Sequence, residues 1–90
     1  MNEDELDKFR QKLSESMTFP GVYMFKFIVK SEHRNIALVE SLFGAETDIL
    51  TKESEKGNYV SVTAKQVVMS ADEVTDIYKK ALAIKGIIVL

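Results

Sequence analysis

Four residues, Glu55, Lys56, Gly57 and Asn58, separate two stretches and lead directly into the alternating run Tyr59, Val60, Ser61, Val62, Thr63, Ala64. A tight turn feeding a strand constrains this chain more than any other feature, because Gly57 supplies the positive φ a short hairpin demands and the run beyond it has the two-residue period of a half-buried strand. The strand is expected over residues 59–66, with Val60, Val62 and Ala64 facing a core and Tyr59, Ser61, Thr63 and Lys65 facing away. Its hairpin partner falls at residues 46–52, where Thr47, Ile49, Leu50 and Thr51 favour extended structure. The alternation there is blurred, as suits an edge strand with a bulge or irregular pairing.

The flanking segments complete a pattern around this hairpin. Residues 22–30 alternate strictly, with Tyr23, Phe25, Phe27 and Val29 on the core parity and Met24, Lys26, Ile28 and Lys30 on the other. Ser31 stands where it can cap a helix starting near Glu32, Ile36, Val39, Leu42 and Phe43 keep helical spacing, and Gly44 occupies the place of a left-handed C-terminal cap. Ser70, Ala71, Asp72 and Glu73 form a capping box ahead of a helix carrying Val74, Ile77, Tyr78, Ala81 and Leu82 at i, i+3, i+4, i+7 and i+8. Gly86 ends that helix, and residues 87–90 read as a last strand. Strand, helix, strand, hairpin, strand, helix, strand is the α+β order of a ferredoxin-like βαββαβ sandwich. Right-handed crossovers place both helices on one face of an antiparallel four-stranded sheet, with the first and third strands central.

Residues 1–18 precede this unit as an amphipathic helix with Leu6, Phe9, Leu13 and Met17 on its stripe, and residues 19–90 make the ferredoxin-like domain. The stripe fits two readings, a helix covering the core or a docking arm, and short helices that pack on nothing are marginal in water. Phe19, Pro20 and Gly21 break the helix before the first strand.

Ninety residues allow one core, and 46% apolar with 29% charged residues is the balance of a folded globule. With no cysteine there is neither a disulfide framework nor a thiolate metal site, which fits a reducing, cytoplasmic setting. The acidic start Met1, Asn2, Glu3, Asp4, Glu5 lacks the basic and apolar regions of a signal peptide, and no membrane partner is expected. Twelve basic and fourteen acidic residues give a net charge of −2, which offers no general attraction for nucleic acid.

Catalytic chemistry finds little to work with. His33 is the only histidine, and no G-x-S-x-G, phosphate-binding glycine loop or H-E-x-x-H occurs. No catalytic residue, metal ligand or cofactor site is expected, and a non-enzymatic role follows. Lys56 and Gly57 ahead of a strand are similar to the start of the RNP1 motif of RNA-recognition modules, but Asn58 and Val60 stand where its stacking aromatics belong. RNA binding therefore ranks third among the functions considered, and no specific nucleic acid is expected as a partner.

Phe19-Pro20 before the first strand, Lys56-Gly57-Asn58-Tyr59 with Ser61-Val62 at the hairpin, and Ile77-Tyr78 followed by Val89-Leu90 carry a family likeness. The chain resembles the bacterial YbeD-like family of uncharacterised proteins, over residues 19–90. The resemblance implies an ACT-like variant of the ferredoxin fold, similar to small-molecule regulatory domains of amino-acid metabolism. ACT domains that bind amino acids usually carry a glycine in the loop after the first strand. Here that loop reads Ser31, Glu32, His33, Arg34, Asn35 and departs from the pattern.

Two surfaces are left as candidates. The open sheet face, Met24, Lys26 and Ile28 beside Tyr59, Ser61, Thr63 and Lys65, is either solvated or an interaction face, since scattered apolar residues are normal on surfaces. The loop Ser31, Glu32, His33, Arg34, Asn35 is the candidate ligand site, and Lys56, Gly57 and Asn58 are the structural turn. The leading expectation is a regulatory or interaction domain working through its open face or edge, by a protein partner or self-association. The alternative is an ACT-like sensor of a small metabolite such as an amino acid.

Overall fold

A computed structural model describes residues 1–90, and its elements follow from local chemistry. Helix α1 (Glu3–Ser16) starts where the Asn2 side chain accepts a hydrogen bond from the Glu5 amide at 2.8 Å, with Glu3, Asp4 and Glu5 in the first turn favoured by the helix dipole. Strand β1 (Gly21–Lys30) follows, then α2 (His33–Glu40), β2 (Asp48–Glu53), β3 (Tyr59–Val68), α3 (Ala71–Leu82) and the short β4 (Ile88–Val89). The sheet runs β2-β3-β1-β4 with every neighbouring pair antiparallel, which is the ferredoxin-like arrangement with β1 and β3 central.

Register explains the core. Phe25 lies opposite Ala64, Phe27 opposite Val62 and Val29 opposite Val60, and all six side chains are buried on the helix-covered face. Small Ala64 leaves room for rings: Phe25 meets Phe27, Phe43 and Tyr78 with centroids 6.3, 5.3 and 5.6 Å apart. Burying one such phenyl contributes about 2 kcal/mol, so this cluster dominates the packing. At its margin the Tyr23 and Tyr78 hydroxyls share a 3.0 Å hydrogen bond. Burial, and then the Tyr23 hydroxyl, push the Tyr78 phenol well above its ordinary pKa. Helix α1 packs on α3, with Phe9 edge-on to Tyr78 at 5.3 Å and with Leu6 and Leu13 buried in the same core cluster as β1 and β3.

Several local expectations are corrected. Ser31 does not cap α2. Its amide donates to the Asn58 carbonyl at 3.0 Å, which ties residue 31 to the hairpin end, and α2 begins at His33 behind Glu32 with no side-chain cap. Gly44 is not a left-handed cap either: α2 stops at Glu40, and the next turn tightens through Leu42 and Phe43 amides donating three residues back. That turn, not the helix, carries Phe43 onto Phe25.

Strand β2 starts at Asp48 and pairs with β3 through six consecutive positions, so the expected bulge is absent. Strand β3 continues to Val68, two residues further than the pattern suggested, while the last strand is shorter, at Ile88–Val89. Helix α3 ends at Leu82 and Gly86 lies in the following turn. In the capping box the Glu73 amide donates to Ser70 Oγ at 3.2 Å, but the Glu73 carboxylate accepts from the Met69 amide rather than from that of Ser70. The hairpin turn is as expected, with Gly57 at φ +73.

Candidate functional site

The two-residue period of the strands builds the open face. Met24 lies opposite Lys65, Lys26 opposite Thr63, Ile28 opposite Ser61 and Lys30 opposite Tyr59, so all seven residues expected there share one side of the sheet. Strand β2 extends that side with Asp48, Leu50 and Lys52, which pair with Lys65, Thr63 and Ser61, and β4 adds Ile88 opposite Ile28. No helix covers it. Val22, Met24, Leu50, Val67 and Ile88 are each about half exposed or more, and Tyr59 is 44% exposed.

Charge on this face is one-sided. Its strand positions hold four lysines, Lys26, Lys30, Lys52 and Lys65, against one carboxylate, Asp48, although the whole chain is net −2. Much of the negative charge lies elsewhere, in the first turns of α1 and α3, while Glu53 and Glu55 stand at the hairpin end of the face. At the hairpin end Tyr59, Ile28 and Lys52 border a shallow depression with Ser54 and Glu55. There the Ser54 side chain accepts the Tyr59 amide at 3.1 Å and so sets the strand's first residue.

The expected ligand loop is divided. Glu32, Arg34 and Asn35 line an open cleft between α2 and the end of α3, whereas Ser31 and His33 do not. Ser31 is held by the hairpin, and His33 is an exposed first helical residue. The opposite wall of the cleft is Lys80, Ile84 and Lys85, which the sequence placed on a different element. Lys56, Gly57 and Asn58 serve the turn, where the Gly57 amide donates to the Ser54 carbonyl at 2.9 Å.

Val22, Lys30, Leu50, Lys52, Val67 and Ile88 were absent from the face named at the outset. Val22 and Lys30 were legible, because they continue the parity of Met24, Lys26 and Ile28. Val67 required the true end of β3, and Leu50 and Lys52 required the β2 register, which blurred alternation conceals. No helix is long and apolar enough to cross a membrane.

Comparison with known proteins agrees with the resemblance. A family model described as protein of unknown function (DUF493) matches residues 2–90, so the match takes in α1, which the likeness seen in the sequence had left outside. A UPF0250 protein of Shewanella halifaxensis strain HAW-EB4 is 32% identical over 80 residues, covering 84% of this chain and 91% of the relative. UPF0250 proteins of Shewanella putrefaciens strain CN-32 and Shewanella piezotolerans strain WP3 are 31% and 30% identical over the same share of each chain. No solved structure matches significantly.

Proposed function

The chain belongs to the DUF493 family, whose description names no activity, and from that premise we propose that it is a cytoplasmic, non-enzymatic interaction domain that captures an acidic protein surface on its open sheet face. The observation that carries the reading is the combination of exposed apolar side chains with four lysines and one carboxylate on a face no helix covers. Apolar area supplies affinity, while a one-signed rim supplies orientation and speed of encounter.

The same charge favours an unlike partner over a second copy. A two-fold contact between two such faces would set four lysines against four, and juxtaposed like charges are costly. With Tyr59 as the only aromatic among its strand positions, the face also lacks the successive stacking platforms of single-strand nucleic-acid binders. A regulatory role would then be exerted by contact.

The test compares tagged wild type with a Lys26→Glu, Lys65→Glu variant of unchanged melting temperature. The expected result is a protein retained by wild type, released as salt rises and lost from the variant, and binding to the purified partner should show the same dependence. Equal retention by both, or self-association as the only contact, would overturn the reading.

A further inference from the structure

The helix side of the molecule carries a second cationic surface, remote in character from the sheet face. Between α2 and the end of α3 lies an open cleft of about 800 Å³, within the size range of small-molecule sites. Arg34, Lys80 and Lys85 line it together with Lys30, the last residue of β1, which borders both this cleft and the sheet face, and Glu32 is the sole carboxylate. None is ion-paired, because the one salt bridge of the molecule joins Arg10 to Asp72 at 3.6 Å. Beneath them Leu38 is 40% exposed and Leu42 and Ile84 are half-buried, so the floor is apolar.

The backbone contributes the same polarity. The first turn of α2 has no side-chain cap, and the amides of His33, Arg34 and Asn35 take no partner within the chain, since Ile36 is the first to donate back, to Glu32. Two of these three residues line the cleft. Converging cations and free helix N–H groups both favour negative charge.

We propose that this cleft binds a small polyanion with an apolar or flat body, of the class of a nucleoside diphosphate. The anionic end sits among Arg34, Lys80 and Lys85, and the body lies on Leu38, Leu42 and Ile84. A zwitterionic amino acid fits poorly, because its ammonium group would meet Arg34, Lys80 and Lys85 with only Glu32 to balance them. The inference is independent of the sheet face, and reversing Lys26 and Lys65 leaves the cleft intact.

The experiment is an amide-resolved NMR titration of the full chain with ADP, with citrate and leucine as separate arms. ADP is expected to shift Arg34, Asn35, Leu42 and Ile84 saturably, with citrate weaker and leucine without effect. Arg34→Glu with Lys80→Glu should weaken ADP by at least about tenfold, equivalent to about 1.4 kcal/mol. The Arg34→Gln, Lys80→Gln pair replaces it should the charge reversal fail to fold. Three results would overturn the proposal: no saturable shift, shifts centred on the sheet lysines, or binding of leucine as tight as that of ADP. Citrate binding as tightly as ADP would overturn the part assigned to the apolar floor.

Discussion

At Gly57 the backbone runs at φ +73, a conformation a Cβ disfavours, while nothing lies within 4 Å of the place a Cβ would take. The penalty of Gly57→Ala is thus conformational and should be about 1 kcal/mol or more in denaturant melts, with Lys56→Ala close to neutral. Gly44 gives the contrasting case, with neither positive φ nor a neighbour in reach, so Gly44→Ala should be neutral or slightly stabilising. Tyr78 belongs to this scale through its proton. Its raised pKa means that the folded state holds the phenolic proton more tightly than the unfolded chain does, so the associated stability is complete below about pH 10 and is lost as pH rises beyond it. Urea melts between pH 9 and 11 should show stability falling. Tyr78→Phe should flatten that slope and cost about 1 kcal/mol near neutrality through the lost bond to Tyr23.

Elements are held by their ends and by one face each. The Ser70 side chain satisfies the Glu73 amide at the start of α3, so Ser70→Ala should lower stability by about 1 kcal/mol by thermal or urea melts. Helix α1 is part of the packing, since Leu6 and Leu13 are 5% and 8% exposed. Leu13→Ala should therefore cost about 2–3 kcal/mol and loosen α1 and α3 together in amide exchange. A loss confined to α1, with α3 protection unchanged, would contradict that coupling. Helix α2 differs from both, short and uncapped by any side chain, and it owes its position to Val39 and to the turn that carries Phe43 into the aromatic cluster.

Across the whole molecule the sheet divides labour between its faces. Phe27 is fully buried on one side, while Ile28, its neighbour in sequence, pairs with Ser61 and Ile88 on the other. Phe27→Ala should cost about 3–5 kcal/mol by denaturant melts. Ile28→Ser with Tyr59→Ser should leave a cooperative fold and, on the proposed reading of the open face, remove partner capture. A collapse of stability in that double variant would mean the parity is reversed.

The alternation of residues 22–30 and 59–66 determined the two central strands and their faces without any tertiary information, because a period of two leaves no freedom once one parity is mostly apolar and the other carries lysine. The capping box before α3 and the Gly57 turn were equally local. The ends of α2 were decided by tertiary contacts: Ser31 had a competing bond to Asn58, and residues with helical spacing were turned instead to bring Phe43 against Phe25. The full basic face and the cationic cleft were beyond local pattern for a similar reason. Leu50 and Lys52 reach the face only through register with β3, and Lys80 and Lys85 reach Arg34 only because α3 ends where α2 begins. Charges more than forty positions apart in the chain become neighbours by topology, and their joint field exists only in the folded molecule.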